Sequence, residues 1–170
     1  MCDRRGIMKI SIITVAYNNI EGLKATSQSV LQQTSAEIEW IVVDGASKDG
    51  SADFLKAFSG ADIRWVSERD GGIFDAMNKG IGMASGQYSI FMNAGDIFAE
   101  ENLIEKVVTA VGDSSPDMIY GDSPGAGRRR IALQGGARSE ADFIRDVHAS
   151  PVHLLPDRCD LRRLRPVLQV

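Results

Sequence analysis

Short apolar runs rich in isoleucine and valine recur along the chain, and segments with helical spacing separate them. The longest runs are "KISIITVAY", "EIEWIVVDG" and "GQYSIFMN", with the shorter "DIRWVSE" and "PDMIYGD" completing the set. Strands with so few polar residues are typical of a parallel sheet that is buried on both faces. The alternation of strand and helix over residues 8–122 therefore predicts an α/β fold, with a mostly parallel sheet flanked by helices.

The segments between these runs place apolar residues at the spacing of amphipathic helices. The four predicted helices are "EGLKATSQSVLQQT", "SADFLKAF", "GIFDAMNKGIGMA" and "EENLIEKVVTAV". Ser51 is the predicted N-cap of the second helix. The predicted inner stripe of the third helix is Ile73, Phe74, Met77, Ile81 and Ala84. The glycines of "GIGMASG" are interpreted as the C-cap and turn that end this helix.

Length and composition are those of one globular domain. The chain has 170 residues, of which 44% are hydrophobic and 25% charged, and this excludes a disordered chain. A net charge of −4 indicates no nucleic-acid partner, and no apolar run approaches the ~18 residues of a membrane span. Two cysteines without metal spacing favour a reducing cytoplasm, and the start "MCDRRG" lacks the pattern of a signal peptide.

The charge changes sign near the turn-rich stretch "GDSPGAGRRR". From Arg128 to Val170 there are nine arginines, no lysines and five acidic residues, whereas the preceding part has a net charge of −8. We therefore interpret residues 123–170 as an atypical basic tail, either a remnant of an acceptor region or the product of an altered reading frame, and expect a fold truncated on its C-terminal side.

Within this tail, "SEADFIRDV" predicts a short helix. "RCDLRRLRPVLQV" predicts a basic amphipathic helix that ends at Pro166, which suits a peripheral contact with the inner face of a membrane. A solvated chain end is the more frequent explanation of such a short run. His148 and His153 have no metal-binding partner at a recognisable spacing and are interpreted as loop histidines.

Polar and small residues follow each of the first four predicted strands, at positions 16–19, 44–47, 68–72 and 93–96. Ligands of open parallel sheets bind at the carboxyl ends of the strands. Turn chemistry alone explains any one of these loops, but four together favour a binding site. The loop "AYNNIEG" lacks the glycines of a dinucleotide site, and no P-loop is present. Carboxylates would therefore hold phosphates through a divalent cation.

Four of these segments resemble the successive motifs of family-2 glycosyltransferases, which have the Rossmann-like GT-A fold. They are "ISIITVAYNN", "IVVDGASKDGS", "SERDGGIFDAMNKGI" and "GQYSIFMNAGD", in the right order and at typical spacing. The resemblance covers residues 9–122. It is nearest to bacterial enzymes that build exopolysaccharide or lipopolysaccharide side chains.

The resemblance implies a site for a nucleotide diphosphate sugar. Tyr17 would pack against the nucleobase, with Asn18 beside it in the donor site. Asp44 would accept hydrogen bonds from the base or ribose, and Asp70 would line the pocket near the same groups.

The resemblance also implies contacts with the donor phosphates. Asn78 and Lys79 would reach the phosphates from the third helix, and Asp96 would bind Mg²⁺ or Mn²⁺. Many relatives have an Asp-x-Asp sequence at the metal site, whereas this chain has Asn93 and Gly95 at the other positions. A single carboxylate predicts weak metal binding in the absence of donor.

The implied reaction is sugar transfer, with inversion, to a hydroxyl of a saccharide or lipid-linked saccharide. The general base would come from the region after the fifth strand, and no catalytic residue is assigned. Two other functions stay open: a non-catalytic fragment that binds nucleotide sugars, and a cytoplasmic interaction module that uses the basic tail.

Overall fold

The computed structural model describes residues 8–34, 37–58, 63–114, 116, 118–121, 131–134 and 167–169. In this part of the chain, strands and helices alternate in the predicted order: β1 (Ile10–Ala16), α1 (Ile20–Leu31), β2 (Ile38–Asp44), α2 (Ser51–Lys56), β3 (Ile63–Ser67), α3 (Ile73–Met83), β4 (Tyr88–Asn93), α4 (Leu103–Val111) and β5 (Met118–Gly121). Two more strands follow, β6 (Ile131–Gln134) and β7 (Val167–Gln169).

The described strands form one sheet with the order β3-β2-β1-β4-β7-β5-β6. All neighbours are parallel except β5 and β6, which are antiparallel. At the carboxyl edge, Asp44 lies opposite both Ala16 and Ser67, and Asn93 lies opposite Val15. The ends of β3, β2, β1 and β4 therefore lie side by side, and the predicted α/β fold is confirmed.

Helices cover both faces of the sheet because β1 and β2 are apolar on both sides. Ile10 and Ile12 of β1 pack in the same cluster as residues of α1, α2 and α4. Ile13 and Val15 point to the other face and pack in a cluster with Ala76 of α3. Among the described helices, only α3 packs on this face, and its first turn lies at the carboxyl edge of the sheet.

The predicted inner stripe of α3 is only partly right. Met77, Ile81 and Ala84 pack against the core as expected. Ile73 and Phe74, however, are 49% and 37% exposed, because the first turn extends past the buried part of the sheet. The buried positions of the helix are Ala76 and Gly80.

The predicted C-cap role of the helix glycines is also corrected. Gly80 and Gly82 lie inside α3, and the C-cap is Ala84. Gly80 is needed for close packing, since a β-carbon there would lie 2.3 Å from Cγ2 of Ile13.

Ser51 is the first residue of α2, and the predicted N-cap role is wrong. The N-cap is Gly50, in the left-handed conformation with φ 96°. Asp49 performs the capping instead: its Oδ1 accepts from the Ser51 hydroxyl at 2.7 Å, and its Oδ2 accepts from the amide of Ile20 at 2.7 Å. The Ser51 hydrogen bond holds the pKa of Asp49 below its ordinary value. One carboxylate thus fixes the beginnings of two helices.

The helices predicted in "SEADFIRDV" and "RCDLRRLRP" lie outside the described residues. Among the residues that are described, no helix is long and apolar enough to cross a membrane.

Candidate functional site

A cleft of about 570 Å³ lies where β1, β2 and β4 end and α3 begins. Its walls include Tyr17, Gly45, Asp70, Ile73 and Asn93, together with backbone of the intervening loops. A second depression, of about 340 Å³, lies on the outside of α4, between Asn102 and Ala110, away from the strand ends. The first cleft is therefore the candidate site.

Three strand ends meet around Gly45. A β-carbon added to Gly45 would lie 2.8 Å from Oδ2 of Asp70 and 3.1 Å from Cδ2 of Tyr17. Any larger residue would push the carboxylate and the ring apart. Tyr17 is 68% exposed, so its ring is available to a flat ligand. The structure thus brings two of the sequence-predicted donor residues to one point.

Asp44 precedes Gly45 and is fully buried. Its Oδ2 accepts hydrogen bonds from the Ser67 hydroxyl at 2.5 Å and from the amide of Ser47 at 3.0 Å. Its Oδ1 is buried and has no hydrogen-bond partner among the described residues. An unsatisfied buried oxygen costs free energy, and such an atom in a native protein calls for an explanation.

The two loops beside Gly45 contain residues in the left-handed conformation. Asn18 has φ 47° and Ala46 has φ 60°. Asn18 joins the two loops through two hydrogen bonds. Its backbone N–H donates to the Ser47 hydroxyl at 2.8 Å, and its side-chain Oδ1 accepts from the backbone N–H of Lys48 at 2.9 Å. Strained backbone of this kind concentrates at binding sites. Asn18 thus holds the loop that carries Tyr17.

The turn after β4 is fixed to α1. Thr26 is buried, and its hydroxyl donates to the carbonyl of Asp96 at 2.8 Å and accepts from the amide of Gly95 at 2.9 Å. The Asn19 side chain donates to the carbonyl of Ala94 at 2.8 Å. Asp96 is exposed, and its Oδ2 accepts from the amide of Asn93 at 2.7 Å. Asn93 lines the cleft, and Asp96 lies three residues further along the same rigid turn.

The described residues contain no group of three histidine, cysteine, aspartate or glutamate side chains that could hold a metal ion. The turn after β4 presents one exposed carboxylate, that of Asp96. Oδ1 of Asp96 has no hydrogen bond or ion pair among the described residues, and a carboxylate of this kind can be one ligand of Mg²⁺ when phosphate and water supply the others.

Lys79 lies outside the cleft in a cluster of charges at the base of the β3–α3 loop. Its Nζ is 2.9 Å from Oε1 of Glu68, 3.5 Å from Oδ2 of Asp75 and 3.0 Å from the carbonyl of Arg69. The hydrogen bond with Glu68 raises the pKa of Lys79, and the amide of Gly71 lowers the pKa of Asp75. Asn78 is exposed on the same helix and does not line the cleft.

The cleft includes residues to which the sequence analysis assigned no individual role in binding, namely Asn19, Arg69 and Ile73. Arg69 directly precedes Asp70, so its place in the same strand-end loop was a usable signal. Ile73 carried no such signal, because apolar residues at helical spacing usually face a core.

The sequence model of the family described as glycosyl transferase family 2 matches residues 11–136, well over half of the chain. The chain belongs to glycosyltransferase family 2. The match of this family-2 chain extends past residue 122, the predicted limit of the family resemblance, to residue 136.

Curated relatives support the same family. An uncharacterised glycosyltransferase of Mycobacterium tuberculosis is 37% identical over 108 residues, which are 63% of this chain and 41% of the relative. A PGL/p-HBAD biosynthesis glycosyltransferase of Mycobacterium bovis is 33% identical over 116 residues, which are 66% of this chain and 45% of the relative. The chain thus spans less than half the length of these relatives.

Solved structures of glycosyltransferases share the fold. The mannosyltransferase PcManGT of Pyrobaculum calidifontis, in complex with GDP-Man and Mn²⁺, has a TM-score of 0.61 at 20% identity, covering 68% of this chain and 35% of its own. TarS of S. aureus, residues 1–349 with UDP-GlcNAc, has a TM-score of 0.62 at 20% identity, covering 71% and 36%. At this identity the likeness establishes the GT-A fold of the family-2 chain.

Proposed function

We propose that residues 8–122 form the donor-binding part of an inverting glycosyltransferase that acts in cell-surface polysaccharide synthesis. Its donor is a nucleotide diphosphate sugar, and its acceptor is a hydroxyl of a saccharide or lipid-linked saccharide. The observation that carries this proposal is the meeting of Tyr17 and Asp70 around Gly45, in the lining of a cleft in a GT-A fold, with the buried Asp44 directly before Gly45. From residues 123–170, β6 forms the edge of the sheet beyond β5, and β7 lies between β4 and β5.

The nucleoside part of the donor binds around Gly45. The exposed ring of Tyr17 packs against the base, and Asp70 accepts from the ribose or the base edge. Asp44 completes the set once the loop at Gly45 opens enough for an N–H or O–H group of the sugar nucleotide to reach its buried, unpartnered Oδ1. Asn18 supports these contacts by holding the two loops together.

The diphosphate lies toward the turn after β4. Asp96, on this rigid turn, holds a divalent cation together with the donor phosphates. When bound, this cation supplies Lewis-acid stabilisation of the charge on the departing diphosphate. Asn78 and Lys79 are proposed as further phosphate contacts, but Lys79 reaches a phosphate only if its ion pairs with Glu68 and Asp75 open.

The reaction is a direct displacement at the anomeric carbon. A bond forms from the acceptor oxygen to this carbon while the bond from the carbon to the diphosphate oxygen breaks, so the configuration inverts. The acceptor proton goes to a general base within about 3 Å of the attacking oxygen. We expect that base among the residues that follow β5.

A thermal-shift screen tests the proposed donor class. UDP-, GDP- and TDP-sugars are added at millimolar concentration, with and without Mn²⁺. A ligand that binds only the folded chain stabilises it by about 2.7 kcal/mol at a hundred times its dissociation constant. The sugar nucleotides of one base should therefore raise the Tm of the chain in a concentration-dependent manner, and the increase should be larger in Mn²⁺. The proposal fails if none of the three donors raises Tm.

Asp44→Asn tests the site itself. The amide keeps the shape of the side chain and one oxygen for the amide of Ser47, but it removes the negative charge, so the domain should fold and donor affinity should fall about tenfold. Isothermal titration with the donor selected in the screen measures the change. Asp53→Asn, an exposed change on α2, is the matched control and should bind normally. Equal affinity in Asp44→Asn and wild type would remove Asp44 from the site.

A further inference from the structure

Of the described residues that line the cleft, Arg69 is the one with a cationic side chain. It comes from the loop between β3 and α3, on the side of the cleft where Asp70 and Tyr17 meet Gly45. Among the described residues, Arg69 has no ion pair, although Glu68 and Asp70 flank it in the sequence. A cation in this position that its neighbours leave unpaired is available to a ligand.

The carboxylates around Arg69 are each held by another group. Lys79 pairs with Glu68 at 2.9 Å and with Asp75 at 3.5 Å. Oδ1 of Asp70 accepts from the amide of Gly72 at 2.9 Å. Lys79 thus takes up Glu68 and Asp75 as ion-pair partners, so neither is paired with the guanidinium, which lines the cleft beside the carboxylate of Asp70.

The backbone at Arg69 is held in place while its side chain stays exposed. The carbonyl of Arg69 accepts from Nζ of Lys79 at 3.0 Å, and the amide of the preceding residue, Glu68, donates to the carbonyl of Asp44 at 3.0 Å. These bonds connect the loop to α3 and β2. A guanidinium on a fixed backbone loses less conformational freedom when it binds than one on a free loop.

We infer that Arg69 binds the phosphate of the donor that is next to the ribose, on the Gly45 side of the cleft, and supplies positive charge to it directly. This inference rests on the proposed function. The turn after β4 offers one carboxylate, so a cation there is held weakly and depends on the phosphates for its other ligands. A guanidinium matches two phosphate oxygens at once and carries its charge whether or not metal is present. Part of the diphosphate affinity is therefore independent of metal.

The test separates the diphosphate from the nucleoside. Wild type, Arg69→Gln and Arg69→Lys are titrated with the nucleoside, monophosphate and diphosphate of uridine, guanosine and thymidine, in EDTA and in Mn²⁺. For the base that wild type selects, Arg69→Gln should lose about tenfold or more in diphosphate affinity in EDTA, with a smaller loss in Mn²⁺. Nucleoside affinity should not change, and Arg69→Lys should recover part of the loss.

Lys56→Gln removes the same charge from α2, where Lys56 pairs with Asp53, and serves as the control with unchanged affinity. The unliganded Tm of Arg69→Gln should equal that of wild type, because no described partner is lost. If Arg69→Gln loses the same affinity for the nucleoside as for the diphosphate, or loses none for either, the role of Arg69 is overturned while the proposed function stands. Failure of wild type to bind any of the three diphosphates would overturn both.

Discussion

Glu39 is a buried carboxylate at the amino-terminal edge of the sheet, the edge opposite the cleft. Its oxygens accept from the Ser11 hydroxyl at 2.5 Å, the Ser85 amide and hydroxyl at 2.5 and 2.6 Å, and the Gly86 amide at 3.0 Å. Arg64 adds a contact at 2.7 Å. One side chain on β2 thus joins β1, β3 and the connection from α3 to β4.

The Glu39 network makes stability depend on pH. Burial raises the pKa of Glu39, but hydrogen bonds from Ser11 and Ser85 outweigh it, and the pKa lies well below its ordinary value of 4.5. A carboxylate with a depressed pKa stabilises the fold above its unfolded pKa and loses this contribution as pH falls through the folded pKa. Glu39→Gln should lower the free energy of unfolding by roughly 1–3 kcal/mol at pH 7. The hydrogen-bond donors of Ser11, Ser85 and Gly86 then face a neutral amide, which accepts hydrogen bonds through its oxygen only.

Urea unfolding of wild type and Glu39→Gln from pH 7 to pH 3 measures this effect. The difference between the two proteins should shrink as pH falls below 4.5, where the unfolded glutamate takes up its proton. Glu105→Gln, an exposed change on α4, should show little difference at any pH. A difference between wild type and Glu39→Gln that stays constant with pH would contradict the role of the charge.

At this scale, the sequence revealed residues whose position was implied by a strand end. The places of Tyr17, Asp44 and Asp70 in the fold were predictable because each follows a strand and parallel strands finish at one edge, whereas their roles in donor binding came from the family resemblance and stay predictions. The buried network of Glu39 could not be predicted, because its partners Ser11 and Ser85 are 28 and 46 residues away in the sequence and nothing in "EIEW" indicates them. The ion pairs of Lys79 were equally hidden, since they depend on how the loop folds back onto α3.

Among the elements, α3 shows how a helix can be held close to a sheet. Its contact with β1 runs through Ala76 and Gly80, the two small residues one turn apart that are buried. A β-carbon at Gly80 would lie 2.3 Å from Cγ2 of Ile13, whereas one at Gly82 would meet nothing within 4 Å. Sequence periodicity found the helix but favoured its largest apolar residues as the buried ones, since it contains no information on the distance between helix and sheet.

Alanine substitutions at these two glycines should have opposite effects. In an exposed helix interior, alanine is more stable than glycine by roughly 0.5–1 kcal/mol, and Gly82→Ala should raise stability by about this amount. Gly80→Ala should lower stability by about 1–3 kcal/mol, because overpacking forces the helix away from β1. Thermal and urea unfolding measure both, with Gly82→Ala as the matched control. A stabilising Gly80→Ala would show that α3 is not held against Ile13.

For the whole molecule, the notable feature is where β7 joins the sheet. Val167 and Leu168 pair with Ser89 and Ile90 of β4, and Leu168 also pairs with Ile119 of β5. A strand from the end of the chain therefore lies between two strands of the first part. The sequence could not predict this position, because the parallel partners of a three-residue strand are set by contacts far away along the chain.

Removal of β7 tests whether residues 8–122 fold without it. A chain that ends at Arg165 leaves β4 and β5 with unpaired backbone next to Ile90 and Ile119, which are almost fully buried. Exposed edges of this kind promote aggregation. Tm should fall by at least about 2–4 °C, the shift that 1 kcal/mol produces in a chain of this size. A chain that ends at Gln169 keeps β7 and should melt like the full chain.

The chain that ends at Arg165 should still bind nucleotide at temperatures below its Tm, because the cleft is built by β1, β2, β4 and α3. If the chain ending at Arg165 has the Tm and solubility of the full chain, β7 contributes nothing to the donor-binding unit.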